Sequence, residues 1–91
     1  MSEVETEVTI CNQKGLHARA AAAFVKCIAD TDADVTVEKD GIEVDGSSIL
    51  SLMMLAASRG CSVKIRASGN EAQKAIDDLT LLINNRFGEE S

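Results

Sequence analysis

Four segments of this chain alternate apolar and polar residues with a period of two, and this pattern constrains the fold more than any other feature. They span residues 4–10, 35–38, 42–44 and 61–67. A strand with such alternation buries one face and exposes the other. Because each of these strands has only one apolar face, the pattern predicts an antiparallel sheet that is covered by helices on one side.

Three further segments carry apolar residues at helical spacing and supply the predicted cover. The first runs from about His17 to Ala29, the second opens at Gly46-Ser47-Ser48 and stops at Gly60, and the third begins at Asn70. The expected core stripes are Ala20, Ala23, Phe24, Cys27 and Ile28 in the first helix, Ile49, Leu52, Met53 and Ala56 in the second, and Ala72, Ala75, Ile76, Leu79, Leu82 and Ile83 in the third.

Turn and cap signals complete the predicted architecture. Asp40-Gly41 is a strong two-residue hairpin signal, and Asn70 followed by Gln73 resembles a capping box. The acidic end, residues 88–91, is expected to fray. We therefore predict an α+β fold over residues 1–91, a single domain built as an open-faced two-layer sandwich with a four-stranded antiparallel sheet and three helices on one face. Alternation alone also fits a ferredoxin-like module.

The composition argues against several classes of partner. The net charge is −6 and the aromatic content is 2%, whereas a nucleic-acid-binding surface is basic and often carries stacking rings. No run is long enough to span a membrane, and the N-terminal residues are acidic where a secretory signal is basic. We therefore expect a cytoplasmic protein. Three cysteines without C-x-x-C spacing and one histidine do not make a zinc set, so we expect no metal.

The run Gly15-Leu16-His17-Ala18-Arg19-Ala20 places the only histidine of the chain where the first loop meets the first helix. The first backbone N–H groups of a helix have no intrahelical partner, and the helix dipole is positive there, so an anion on the ring would meet donors. Arg19 adds a guanidinium group suited to phosphate oxygens. This arrangement favours a neutral, nucleophilic His17 that carries a phosphoryl group. The alternative is an ordinary polar residue at a helix end.

The second predicted helix combines an apolar patch with a pair of serines. Leu50 and Met54 are one turn apart and lie off the core stripe, and we predict an exposed patch formed by Leu50 with the edge of Ile49 or Met53. Ser47 and Ser48 are both placed to cap the helix. A phosphoserine there would be tolerated by the helix, while its charge beside the patch would obstruct acidic partners. Capping and phosphorylation both remain open for these serines.

Two stretches of sequence and the order of the elements resemble a known family. The run Gly15-Leu16-His17-Ala18-Arg19, residues 47–53 and the element order over nearly the whole chain are similar to HPr, the histidine-containing phosphocarrier of the bacterial phosphoenolpyruvate-dependent phosphotransferase system. Residues 52–60 and 85–90 look most like its nitrogen-regulatory branch, called NPr. The family usually has proline where this chain has Ala20, and alanine is an equally good residue in a first helical turn.

The resemblance implies an activity and a set of site residues. It implies that phospho-enzyme I phosphorylates Nδ1 of His17, that Arg19 contacts the phosphoryl group, and that an enzyme IIA is the acceptor. It places Ser48, rather than Ser47, where many relatives carry a serine that a dedicated HPr serine kinase phosphorylates. The implied docking surface comprises Leu16, Ala20, Ile49, Leu50 and Met53. The resemblance implies no cofactor, and a carrier with a phosphohistidine intermediate rather than a stand-alone enzyme.

Two other functions are compatible with these residues. One is a non-covalent regulatory binding module of the ferredoxin-like class, which would keep its function without His17. The other is a regulator that works through Ser48, although such a protein would not need His17 and Arg19 together. Sugar uptake and nitrogen regulation both stay open as outputs. We expect a monomer, because the docking patch has to remain free.

Overall fold

The strands and helices follow one another in the predicted order. The computed structural model describes residues 3–90. Its elements are β1 (Glu3–Thr9), α1 (Ala18–Ile28), β2 (Asp34–Lys39), β3 (Ile42–Asp45), α2 (Ile49–Met54), β4 (Ser62–Ser68) and α3 (Ala72–Asn84), followed by a short terminal turn (Arg86–Gly88). Over these residues, no helix has both the length and the apolar character needed to cross a bilayer.

The four strands form one antiparallel sheet in the order β1-β4-β2-β3. The register places apolar residues opposite one another, with Val8 facing Val63 and Val37 facing Ile65. These side chains are buried on the helical side of the sheet, whereas the residues between them are exposed or half-buried. The predicted α+β open-faced sandwich, with a four-stranded antiparallel sheet and three helices on one face, is confirmed.

One hydrophobic core lies between the sheet and the helices. Helix α3 packs across β1 and β4, and α1 contacts both α2 and α3. Helix α1 buries Ala20, Ala21 and Phe24, while Ala23 and Cys27, predicted as core, lie partly buried at its edge. Burying a ring such as that of Phe24 stabilises a fold by about 1.5–3 kcal/mol. The largest fully buried apolar side chains are Phe24, Ile10, Leu52, Ile65, Leu79, Ile83, Val37 and Val63.

The hairpin between β2 and β3 has the predicted two-residue turn. Asp40 and Gly41 lie between the paired residues Lys39 and Ile42, with φ values of 54° and 83°. Two consecutive positive φ values match the right-handed twist of the flanking strands, which explains the preference for an Asp-Gly pair here.

An ion-pair cluster on the open face of the sheet links its two edge strands. Arg66, on the inner strand β4, donates from Nη2 to Oε2 of Glu5 on β1 at 2.7 Å and from Nη1 to Oε2 of Glu43 on β3 at 2.6 Å. The polar face therefore contributes cross-strand contacts.

Helix α2 is shorter than predicted. It ends at Met54 rather than near Gly60, because Ala56 has a φ of 52°, which a right-handed helix cannot contain. Ala56, which was expected in the core stripe, is exposed. The buried residues of this segment are Leu52 and Leu55, three positions apart and therefore on the same side of the chain.

The predicted capping box at the start of α3 is wrong. The N-cap residue is Glu71, and its side chain makes no capping hydrogen bond. Instead Asn70 Nδ2 donates to Oδ2 of Asp32 at 2.8 Å, and Glu71 Oε1 accepts from the Asp32 backbone N–H at 2.7 Å. Gln73 bonds forward to Asp77. The polar residues at this helix start are therefore used to hold the loop before β2.

Candidate functional site

His17 is the N-cap residue of α1, at the predicted junction of loop and helix. Its backbone carbonyl accepts the first helical hydrogen bond from the Ala21 N–H at 2.8 Å, while its imidazole makes no hydrogen bond to the helix. The N–H groups of the first turn are therefore not capped by the ring, and the positive end of the helix dipole lies beside it.

The loop before His17, residues 12–16, packs against the segment after α2, and we call it the histidine loop. Leu16 is buried and its N–H donates to the carbonyl oxygen of Ala57 at 2.8 Å. Gly15 has a φ of 68°, and a Cβ at this position would lie 2.5 Å from Ala57 O and 2.8 Å from Ser58 Cα. Only glycine fits this approach, so the histidine loop and the end of α2 are held as one unit.

The terminal turn brings a carboxylate to His17. The residues of the turn Arg86–Gly88 have φ values of 55°, 54° and 80°, all left-handed. A non-glycine residue in this conformation costs about 1–2 kcal/mol, which burial of the Phe87 ring offsets. The chain thereby reverses, and Oε2 of Glu89 lies 2.6 Å from Nε2 of His17. The prediction that residues 88–91 fray is wrong for the described part, which extends to residue 90.

Asn12 holds both the histidine loop and Glu89. Its side chain is fully buried, and Nδ2 donates to Gly15 O at 2.8 Å and to Oε1 of Glu89 at 3.0 Å. Both partners are acceptors, so the amide nitrogen must face them and the amide orientation is fixed. Asn12 Oδ1 is buried and accepts no hydrogen bond from the residues that the structure describes. The three side chains therefore form a chain of contacts from Asn12 through Glu89 to His17.

The charge of Glu89 fixes the proton on the imidazole. Desolvation raises the pKa of Glu89, but hydrogen bonds from Asn12 and His17, together with favourable electrostatic interactions with His17 and Lys14, outweigh it and lower the pKa below its ordinary value. The carboxylate is therefore ionised near neutral pH and only accepts hydrogen bonds. Nε2 of His17 must then be the protonated nitrogen, and in the neutral ring the lone pair lies on Nδ1.

The ring opens onto a shallow basin with two flanking cations. The basin has a volume of about 360 Å³ and is lined by Lys14, His17, Arg19 and the terminal residues 87–90. The His17 side chain is 27% exposed, and both Lys14 and Arg19 are exposed. Across the described part of the chain, no three His, Cys, Asp or Glu residues are grouped to hold a metal ion. The site is thus an accessible imidazole beside positive charge.

The predicted apolar patch lies on α2. The exposed fractions are 70% for Leu50, 76% for Met54, 41% for Ile49 and 39% for Met53. The exposure predicted for Leu50 is confirmed, and Ile49 and Met53, predicted as core, are also accessible because Leu52 and Leu55 supply the buried side instead. We call Ile49, Leu50, Met53 and Met54 the α2 patch.

Two residues of the expected docking surface are not accessible. Leu16 is 6% exposed and Ala20 is fully buried. Their side chains anchor the histidine loop and the first turn of α1 in the core, so they position the site rather than contact a partner. This corrects the sequence-based assignment of Leu16 and Ala20.

The two serines have different structural roles: Ser48 caps α2, and Ser47 lies in the turn before it. Ser48 is the N-cap of α2, and its Oγ accepts from the Ser51 N–H at 3.2 Å, which confirms the capping role. The Ser47 hydroxyl donates to Oδ1 of Asp45 at 2.8 Å, and its N–H donates to the same oxygen at 2.9 Å. Both hydrogen bonds, chiefly the one from the backbone N–H, lower the pKa of the Asp45 carboxyl. Ser47 is therefore held against a carboxylate, whereas Ser48 lies next to the α2 patch.

Sequence reasoning missed Asn12 and Glu89. Asn12 is a polar residue in a loop, and Glu89 stands in an acidic chain end, and both patterns are typical of solvated surface. The positive φ values at Arg86 and Phe87, which bring Glu89 back, have no sequence signal apart from the glycine that follows them.

Comparison with known proteins identifies the family of this chain. The profile of the family described as "PTS HPr component phosphorylation site" matches residues 4–85. The chain is 41% identical to the phosphocarrier protein HPr of Cupriavidus necator, over 94% of this chain and 97% of the relative. It is 34% identical to the phosphocarrier protein NPr of Shewanella violacea over the full length of both.

The fold also matches a solved structure of a relative. The crystal structure of HPr-C-His from Thermoanaerobacter tengcongensis superposes with a TM-score of 0.90, at 42% identity and complete coverage of both chains. Sequence, fold and the family profile agree, and the chain belongs to the HPr family of phosphocarrier proteins.

Proposed function

We propose that this chain carries a phosphoryl group on Nδ1 of His17, accepts it from phospho-enzyme I and passes it to an enzyme IIA. The observation that carries the proposal is the state of the imidazole. The ring is partly accessible, and its Nε2 is engaged by the carboxylate of Glu89 at 2.6 Å. Nδ1 is then the nitrogen that is free to act as a nucleophile.

The transfer is an in-line displacement at phosphorus. The lone pair of Nδ1 attacks the phosphorus atom of the donor phosphohistidine, and the donor nitrogen leaves with the electron pair of the broken P–N bond. His17 keeps its proton on Nε2, so the phosphorylated ring carries the positive charge that the donor ring loses. Positioning and charge stabilisation dominate such a reaction, and no cofactor takes part.

The surroundings of His17 supply the charge stabilisation. The uncapped N–H groups at the start of α1 and the Arg19 side chain are donors for phosphoryl oxygens, and Lys14 adds positive charge to the same basin. Because the basin is shallow, the phosphoryl group remains reachable for an acceptor. A deep, tight pocket would oppose onward transfer.

The α2 patch is our proposed docking surface for both enzymes. Its core is Leu50 with Ile49 and Met53, as the family resemblance implies, and the structure adds Met54, which is 76% exposed. Methionines adapt to surfaces of different shape, which suits a carrier with a donor and an acceptor. Helix α2 packs directly against α1, so a partner seated on the patch lies beside the helix that His17 begins.

Ser48 is our proposed regulatory phosphorylation site, for a cell that has an HPr serine kinase. Its hydroxyl lies at the start of α2, and a phosphate there would place negative charge at the edge of the α2 patch. Ser47 is the weaker candidate, because its hydroxyl already donates to Asp45 and a phosphate would face that carboxylate. A protein that acts only through Ser48 would not need the contacts around His17.

We place the protein in the cytoplasm, where phosphoenolpyruvate is formed, and treat residues 1–91 as one carrier domain. The similarity to an NPr over the full length supports the nitrogen-regulatory branch, while the HPr relatives support sugar uptake. Measuring onward transfer to an enzyme IIA of each branch separates the two. We propose a monomer, and size-exclusion chromatography with light scattering tests it.

Intact-protein mass spectrometry tests the carrier function directly. The protein is incubated with phosphoenolpyruvate and enzyme I from the same organism, and the control is His17→Ala, shown to be folded by a cooperative thermal melt. We expect the wild type to gain the mass of one phosphoryl group, to lose it in acid, and the variant to gain nothing. No gain with an enzyme I that is active on its own substrate would overturn the proposal in favour of a non-covalent or serine-based regulator.

A further inference from the structure

We propose that Glu89, held in place by Asn12, is a positioning residue for His17: it fixes the imidazole through Nε2 and stabilises the charge that the ring gains on phosphorylation. The inference rests on the proposed carrier function. It adds to that function two residues from opposite ends of the chain that are not part of the histidine motif.

The contacts show that Glu89 is aimed at the ring. One carboxylate oxygen lies 2.6 Å from Nε2 of His17, and the other accepts from Nδ2 of Asn12 at 3.0 Å. The Glu89 side chain is only 15% exposed. A surface glutamate would keep both oxygens in water, so this carboxylate is oriented by two partners rather than drawn in by charge alone.

The backbone supports the same conclusion. The chain reaches His17 through three consecutive residues with left-handed backbone. Two of them, Arg86 and Phe87, lack the conformational freedom of glycine. Such conformations persist where surrounding contacts enforce them, and they are concentrated at functional sites. Here the enforcing contacts are the buried Phe87 ring and the bonds of Glu89. The turn therefore brings the carboxylate of Glu89 to the imidazole of His17.

The chemical consequence concerns the charge on the ring. When Nδ1 bonds to phosphorus and Nε2 keeps its proton, the imidazole becomes positively charged. A carboxylate already placed at Nε2 stabilises that charge without having to reorganise, which lowers the barrier for acceptance. It also prevents the ring from rotating or from moving its proton to Nδ1, either of which would remove the nucleophile.

Nuclear magnetic resonance of the imidazole provides the first test, because the chain contains a single histidine and its signals belong to His17 alone. We expect ¹⁵N-labelled wild type to show a protonated Nε2 whose proton resonates downfield and exchanges slowly with water. Glu89→Ala should lose this protected signal. The matched control is Glu7→Gln, which removes the same charge from an exposed glutamate of β1 that does not line the basin, and it should leave the signal unchanged.

Phosphorylation by phosphoramidate provides the second test and requires no partner protein. In this reaction Nδ1 attacks phosphorus and ammonia leaves with the electron pair of the P–N bond. We expect Glu89→Ala to be phosphorylated about 10- to 100-fold more slowly than wild type, the range expected when a reacting group loses its orientation. Glu89→Gln keeps one acceptor oxygen and should be intermediate, and Glu7→Gln should stay within about twofold of wild type.

The outcomes distinguish this inference from the carrier function. A wild-type protein that is phosphorylated by enzyme I, with Glu89→Ala reacting equally fast and its imidazole proton unchanged, overturns the positioning role and leaves the carrier function intact. An equal slowing in Glu89→Ala and Glu7→Gln overturns it as well, because net charge would then be the cause. A wild type that enzyme I does not phosphorylate contradicts the carrier function, while the phosphoramidate rates still decide the role of Glu89.

Discussion

Nε2 of His17 and Oε2 of Glu89 lie 2.6 Å apart although 72 positions of sequence separate the two residues. The contact joins the N-cap of α1 to the residue that follows the terminal turn, and so connects the two ends of the fold. An N-terminal imidazole is thereby oriented by a C-terminal carboxylate. Stability and reactivity are thus connected at one side chain, and both can be measured on the same variants.

Replacing Glu89 by glutamine tests its charge through the pH dependence of stability. The pKa of Glu89 lies below the ordinary value of 4.5, because bonds from Asn12 and His17 and nearby positive charge outweigh the desolvation that raises it. A depressed carboxyl pKa stabilises the fold above the unfolded-state pKa, and this contribution is lost as pH falls through the folded-state value. We expect E89Q to be about 1 kcal/mol less stable than wild type near neutral pH.

The difference in unfolding free energy between wild type and E89Q should disappear as the pH falls below about 4.5, the ordinary pKa of this carboxyl. Urea unfolding of wild type and E89Q at several pH values measures it. A difference that stays constant down to strong acid would show that the ionised carboxylate contributes nothing.

Gly15→Ala tests whether the histidine loop depends on its close approach to α2. Alanine would have to adopt a φ of 68° with its Cβ 2.5 Å from Ala57 O. We expect a loss of about 2–4 kcal/mol, the sum of left-handed strain and steric overlap, and slower phosphorylation of His17. Gly41→Ala is the control, because Gly41 also has a positive φ but a Cβ there meets nothing within 4 Å.

Gly41→Ala should therefore lose only the stability that left-handed strain costs, about 1–2 kcal/mol. His17 in this variant should accept the phosphoryl group at the wild-type rate. Denaturant unfolding and the phosphorylation rate are read on both variants. Equal losses of stability in the two would mean that the segment after α2 moves aside without difficulty.

The features that the sequence predicts correctly are those that depend on local contacts. The place of His17, the Asp40-Gly41 turn and the Ser48 cap each depend on neighbours within a few residues, and periodicity and capping preferences predicted them. The bond between Asn12 and Glu89 spans 77 residues. It depends on left-handed backbone at residues that do not favour it, so no local pattern indicates it. The burial of Asn12 likewise follows only from the assembled fold.

Substitutions at Ser48 should separate its structural role from its regulatory role. Ser48→Ala removes the acceptor for the Ser51 N–H, which we expect to cost about 0.5–2 kcal/mol while phosphoryl transfer stays near wild type. Ser48→Asp retains a good N-cap, so stability should be kept, while its charge at the edge of the α2 patch should slow transfer from enzyme I by about tenfold.

Thermal melts and transfer rates on both variants check the two effects. Ser47→Asp is the control, because it carries the same charge one residue earlier, outside the helix. Normal transfer by Ser48→Asp would contradict a regulatory role for this position.

The α2 patch should control the affinity for partners without changing the chemistry at His17. Leu50→Ser removes an apolar side chain that is 70% exposed, and Leu81→Ser does the same for a leucine on α3 that is 71% exposed. Because both leucines are already in water, neither change should alter stability by more than about 0.5 kcal/mol. We expect Leu50→Ser to raise the KM of enzyme I for this protein by about tenfold, with kcat nearly unchanged, as loss of a central interface contact does. Steady-state phosphorylation over a range of carrier concentrations measures both constants, and a similar rise in KM for Leu81→Ser would move the docking surface away from α2.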